Sequence, residues 1–222
     1  MKNNLIIIII SFIFFNNYAL AETFKFNTKT IEIVDNGNQI NAGEGKAFSS
    51  DNSLEINATK FKYTKNLGKL VATGSGSLLV KSKNLEIEFD NAIFDQKNSQ
   101  IEMNGNVKIY HIDRTFYIET NEVTYNQNDN LISSLTKTSL EDSFKNTYVV
   151  DSFFYETNKD LLKITNLKFK DKDNNTLITP IAYINTRTGK IFGKDVNINL
   201  NNSGLNSSNE PRMKGNLSLI HI

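Results

Sequence analysis

Residues able to do chemistry are few in this chain, and their spacing argues against most reactions. There is no cysteine, and histidine occurs only as His111 and His221. Thiolate nucleophiles, thiolate zinc sites, iron-sulfur clusters and structural disulfides are thereby excluded, and most catalytic triads and His-rich metal sites go with them. Gly43-Glu44-Gly45-Lys46 superficially suggests a phosphate loop. It lacks the glycine spacing and the Lys-Ser/Thr pair, and no helical pattern follows, so it reads as a structural turn. Gly74-Ser75-Gly76-Ser77 lacks the third glycine of a dinucleotide fingerprint. Glu86 and Glu88 share a strand face at i, i+2, and with Asp90 they offer the carboxylates that glycoside hydrolysis or a hard cation would use. Alternating charge is also what a solvated outer β surface needs, and that is the reading adopted. His111 follows Tyr110 in an extended run and reads as a surface residue rather than a ligand. Asn57-Ala58-Thr59 and Asn174-Asn175-Thr176 match glycosylation sequons, but patterns this short arise by chance. The expectation is a protein without catalytic residue, metal or cofactor.

The elements that must position any site are set by composition and periodicity. At 222 residues, 39% hydrophobic and 22% charged, the chain suits one globular domain. Lys+Arg of 25 against Asp+Glu of 24 gives a formal charge of +1. Binding to a nucleic-acid backbone through overall charge is therefore not expected. The start, Met1-Lys2-Asn3-Asn4, is followed by an apolar run through Phe15 and then by Ala19-Leu20-Ala21. A cationic start, a short apolar stretch and a small-x-small ending predict a secretory signal peptide over residues 1–21, and hence export from the cytoplasm.

After Glu22 the pattern is alternation. Leu54-Glu55-Ile56, Leu85-Glu86-Ile87-Glu88-Phe89 and Phe116-Tyr117-Ile118-Glu119 each put apolar and polar groups on opposite faces of a strand. Turn signals at Asn36-Gly37, Asn66-Leu67-Gly68, Lys97-Asn98-Ser99, Asn128-Asp129-Asn130 and Thr188-Gly189 are spaced as in an all-β architecture. The runs also repeat: Leu54 to Leu85 and Leu85 to Phe116 are both steps of 31 residues. Tyr63, Phe94 and Tyr125 keep that step, as do Gly43, Gly74 and Gly105, and Leu70, Ile101 and Ile132. A fourth copy, slipped by about one residue, holds Val149, Tyr155 and Leu161-Leu162. Such a unit cannot bury its own apolar face, whereas stacked copies bury a continuous interior. The recurring glycines either mark corners where a strand bends or are ordinary turn glycines.

These residues carry a resemblance. Leu70-Val71-Ala72-Thr73-Gly74-Ser75-Gly76, Ile101-Glu102-Met103-Asn104-Gly105-Asn106-Val107-Lys108-Ile109 and Ala182-Tyr183-Ile184-Asn185-Thr186-Arg187-Thr188-Gly189-Lys190 resemble the repeating units of the OstA family. These are the β-jellyroll modules of the lipopolysaccharide transport proteins LptA, LptC and the amino-terminal domain of LptD. The tail Asn209-Glu210-Pro211-Arg212-Met213-Lys214-Gly215-Asn216 is similar to the segment that in LptD joins the jellyroll to an outer-membrane barrel. The resemblance implies a β-jellyroll domain over residues 22–200, with residues 201–222 a linker and the start of a missing or truncated barrel. It also implies a periplasmic location beside the outer membrane. The missing cysteines depart from the many LptD proteins that link jellyroll and barrel by disulfides.

By the same resemblance the chain carries lipopolysaccharide, with acyl chains between two splayed sheets and sugar headgroups in solvent. Alternation then nominates Leu54, Ile56, Leu85, Ile87, Phe89, Val107, Ile109, Ile118 and Val149 as inward, lipid-contacting residues, and Phe94 and Tyr125 as larger wall elements. A plain packed core explains the same residues. The implied partners are LptA at the amino-terminal edge strand, docking on Phe24, Phe26, Ile31 and Ile33, and LptE with an outer-membrane barrel if a full-length LptD-type protein exists. A free-standing LptA-like bridge is the alternative. From another class, a parallel β-helix acting on polysaccharide needs acids clustered at one rung, for which Asp90, Asn121 and Asp151 are the candidates.

Overall fold

Alternation governs the observed fold almost throughout. The computed structural model describes residues 24–111, 116–201 and 212–220; the leader expected over residues 1–21 lies outside them. The strands are β1 (Phe24–Thr28), β2 (Ile31–Val34), β3 (Gln39–Ala42), β4 (Gly45–Ser49), β5 (Leu54–Ala58) and β6 (Lys60–Thr64). Longer ones follow: β7 (Lys69–Val80), β8 (Leu85–Asp95), β9 (Gln100–His111) and β10 (Phe116–Asn126). Then come β11 (Leu131–Ser134), β12 (Thr138–Asp142), β13 (Thr147–Val150), β14 (Ser152–Glu156), β15 (Leu161–Lys170), β16 (Thr176–Asn185), β17 (Ile191–Asn199) and β18 (Arg212–Ile220). No helix among the described residues is long and apolar enough to cross a membrane.

The pairing resolves into two layers joined by bends. In the first layer β1, β4, β5 and the later halves of β7 and β9 pair in turn with the early halves of β8 and β10, and β12 and β13 continue the row. In the second, β2, β3 and β6 lead into the other halves of the same long strands, then into β11 and β14. Strands β15 to β18 again serve both. All these pairs are antiparallel, so the expectation of an all-β stack of antiparallel strands holds. The 31-residue step is one pair of rungs, out and back.

One cross-strand ladder runs along the inner face of each layer. Phe26, Ala47, Ile56, Leu78, Ile87, Ile109, Ile118, Leu140, Tyr148, Phe169, Leu177, Ile198 and Met213 are successive partners in the first. Ile33, Ile40, Tyr63, Leu70, Phe94, Ile101, Tyr125, Ile132, Tyr155, Leu162, Ile184 and Ile191 are partners in the second. Nearly all are buried. Burying one large aliphatic side chain contributes about 1.5–3 kcal/mol, and in a chain without cysteine this burial and the backbone ladders supply the stability.

The two layers cross with an offset. Phe24 of β1 meets Tyr63 of β6 and Phe94 of β8 edge-on, with ring centroids 5.6 and 5.9 Å apart. Each first-layer strand thus faces a second-layer strand from further along the chain. The offset leaves β2 overhanging: Ile31 and Ile33 belong to the inner face yet are 52% and 62% exposed.

The bends explain the periodic glycines. Pairing registers shift between Thr73 and Gly76 in β7, between Glu88 and Asn91 in β8, and between Thr120 and Glu122 in β10. Gly74 and Gly105 sit at such bends with φ of +84° and +76°, a conformation that costs a side-chain-bearing residue free energy. The glycines of the repeat are corners.

Candidate functional site

The offset that overhangs the ends also opens the mouth of the sandwich midway along. Here the first layer presents Leu85 at the start of β8, Ile109 and His111 at the end of β9, and Phe116 and Ile118 at the start of β10. Opposite them stand Tyr155 of β14, Leu162 of β15, and Asp160, Thr186 and Arg187 from the turns flanking β15 and β16. Together they line a cavity of about 380 Å³, within the range that holds small ligands. Its floor is apolar because the ladders run through it: Ile109 and Ile118 are cross-strand partners, as are Tyr155 and Leu162.

The rim is polar and internally braced. Asp160 pairs with Arg187 at 2.6 Å, and its backbone carbonyl accepts the Thr186 amide at 2.8 Å and the Thr186 hydroxyl at 3.2 Å. Burial pushes the Tyr155 phenol above the ordinary tyrosine range, against a smaller opposing effect of its hydrogen bond with Thr186, so it presents an uncharged ring to the cavity. Just before Leu85, Lys83 donates from its ammonium group to Asn158 Oδ1 in the turn ahead of Asp160. That hydrogen bond ties the rim of one layer to the rim of the other. An apolar floor under a charged rim suits an amphiphile.

Other polar clusters are structural. Lys46 of the glycine-rich turn is paired with Glu55 at 2.7 Å, and Lys29 with Glu44 at 2.8 Å, so no phosphate cradle forms. Asp90 accepts from Asn106 Nδ2 at 2.8 Å, and Asp151 from Asn166 Nδ2 at 2.7 Å. Both aspartates brace bends. Glu86 and Glu88 lie on the outer face beside Tyr110, Tyr117, Glu141 and Lys145 around an open hollow of about 580 Å³. Among the described residues no group of three or more His, Asp or Glu side chains is arranged to hold a metal ion. The hydroxyls of Thr120, Ser134, Thr136 and Thr138 bond one another at 2.9–3.1 Å inside a bend, which satisfies them without activating any.

Of the nominated inward residues, Leu54, Ile56, Leu85, Ile87, Phe89, Phe94, Val107, Ile109, Ile118 and Tyr125 are all buried between the layers. Only Leu85, Ile109 and Ile118 reach the cavity; the others are covered by neighbouring side chains. Val149 is a correction: Tyr148 and Val150 point inward, and Val149 lies half-buried on the outer face near Asn106, Lys108 and Lys137. The amino-terminal set divides, with Phe24 buried, Phe26 packed on Phe61 at 5.8 Å, and Ile31 and Ile33 in solvent. His111, read as a surface residue, is half-buried at the cavity rim. His221, residues 202–208 of the expected linker and residues 209–211 of the tail motif lie outside the described residues, whereas Arg212–Ile220 continues the sheet as β18 against β17. Sequence reasoning missed Phe116, Tyr155, Leu162 and the Lys83–Asn158 contact, because no local pattern reports which rungs of two crossing layers meet.

No protein-family model matches the chain, and no curated protein does. Among solved structures it is similar to LptH of Pseudomonas aeruginosa, described as the LptA-homologous periplasmic component of the conserved lipopolysaccharide transport device. The likeness has 16% identity and a TM-score of 0.42, and spans 61% of this chain and 93% of that one.

Proposed function

We propose that this protein binds the acyl chains of lipopolysaccharide between its two β layers and passes the lipid through the periplasm toward the outer membrane, without catalysis. The observation that carries the reading is the mid-mouth cavity, which side chains of both apolar ladders floor beneath a charged rim. Each methylene moved from water into such a site gains about 0.8 kcal/mol, and apolar contact is non-directional, so a chain can move between similar rungs. The sequence resemblance to OstA-type units supplies the lipid's identity and the LptD amino-terminal type of the chain. LptA is the proposed partner at the amino-terminal edge, with LptE and a barrel in a full-length protein.

The test is photo-crosslinking in cells from a benzoylphenylalanine at Leu85 or Ile118, with outward-facing Glu122 as control. Lipopolysaccharide adducts at the first two positions and none at Glu122 are expected. Absence of adducts at both cavity positions rejects the reading. The free-standing bridge is the second reading: among the described residues β2 pairs with β3 alone, so the amino-terminal end of the stack offers a strand edge to which another chain can add. End-to-end filaments of the purified protein would support it.

A further inference from the structure

We infer that Lys83 is the headgroup anchor of the mid-mouth cavity, and that the site takes an amphiphile whose hydrocarbon tail enters between the layers while an anionic head stays at the rim. The inference rests on the acyl-binding reading above. A tail alone can enter an apolar hollow in many orientations, because its contacts are non-directional; a polar group at the rim fixes which end stays in water.

Of the Asp, Arg and Lys side chains around the mouth, two are already committed to each other. Asp160 is the one acid among the lining residues, and Arg187 neutralises it at 2.6 Å. Lys83 is different. Its ammonium bonds to the amide oxygen of Asn158, a neutral acceptor, and among the described residues no carboxylate pairs with it. Its charge is therefore uncompensated, two residues before Leu85 of the cavity floor and bonded to the turn that leads into Asp160 of the rim. The bond to Asn158 is charged at one end only, and an anionic head adds the attraction between two full charges, so it is the better partner. Taking Lys83 from Asn158 also releases the contact between turns 75 residues apart that spans the mouth. An anionic head thus loosens the entrance as it binds, which a neutral head cannot do.

Displacement of the apolar reporter 1-N-phenylnaphthylamine from the full chain tests this. Laurate, dodecyl maltoside and butyrate serve as competitors: the same tail with an anionic or neutral head, and an anion almost without a tail. Laurate should displace best and butyrate not at all. Lys83→Gln should weaken laurate about fivefold and leave dodecyl maltoside unchanged, and Lys83→Arg should restore laurate. Failure of both dodecyl competitors on the unmodified protein removes the acyl-binding reading and this one with it. Normal binding of both, with Lys83→Gln affecting neither or both alike, overturns the anchor alone. Butyrate as effective as laurate overturns it too, since the rim would then be an anion site independent of the cavity.

Discussion

Gly105 lies so close to Asp90 that a methyl group on the glycine would meet Asp90 Oδ2 at 2.5 Å and Cβ at 2.7 Å. The same carboxylate accepts from Asn106, the residue after the glycine, at 2.8 Å. Two neighbouring rungs therefore turn from one layer to the other in contact, and the corner has no room for a side chain.

Gly105→Ala should accordingly destabilise the fold by about 2–4 kcal/mol, combining the positive φ of +76° with the clash. Gly37 gives the comparison: its φ is +87°, but nothing lies within 4 Å of an added Cβ. Gly37→Ala should cost only the conformational part, about 1–2 kcal/mol. Urea unfolding of both variants, read as midpoint shifts at constant slope, separates the two contributions. Equal shifts would show that the corner is not crowded.

How far the sequence revealed these features follows from the physics of each. Strand faces were readable because alternation is local: Leu85, Ile87 and Phe89 all point inward, as their spacing predicts. The repeat was readable because paired rungs recur, and Tyr63, Phe94 and Tyr125 occupy one ladder. Val149 shows where this failed. From Ile118 the next ladder positions are Leu140 and Tyr148, a step of 30 rather than 31, the same step that separates Tyr125 from Tyr155. One missing residue inverts every face, since side chains alternate with period two. The cavity was unreadable for another reason: which first-layer rung meets which second-layer rung is set by the crossing of the layers, and neither strand carries it alone.

Burial separates two isoleucines of the second-layer ladder. Ile101 is fully covered and Ile33 is 62% exposed. Ile101→Ala should cost about 2–5 kcal/mol through lost transfer energy and the cavity left behind, whereas Ile33→Ala should stay within about 0.5 kcal/mol. Chemical denaturation checks both. A large cost at Ile33 would mean that β2 is covered in solution by another surface.

Alkaline pH should weaken the fold through its buried phenols. Tyr148 is held well above the ordinary tyrosine range by burial first and then by its hydrogen bond to Asp142, 2.8 Å away; burial raises Tyr125 in the same way. In the unfolded chain these groups lose their protons near pH 10, while the folded chain keeps them. Their contribution is thus fully present below about pH 10 and is lost as pH rises beyond it. Tyr148→Phe should cost about 1–2 kcal/mol at neutral pH through the lost hydrogen bond, and should make the alkaline decline shallower. Urea midpoints measured up to about pH 11 test this; an unchanged alkaline slope in the variant would remove Tyr148 from the account.

The proposed docking of LptA needs a test that spares the fold. Deleting residues 22–34 would remove Phe24, which packs on Tyr63 and Phe94, and would uncover the module's own core. Ile31 and Ile33 separate docking from folding, because both are exposed on a strand paired along one edge only. Lysine on such an edge opposes strand addition while costing an exposed position little. The double change Ile31→Lys and Ile33→Lys should therefore leave the urea midpoint within about 1 kcal/mol of the unmodified protein and abolish capture of purified LptA. Undiminished capture by a folded double variant would move the docking surface away from β2, leaving β1 as the other place at that end of the stack where a strand could add.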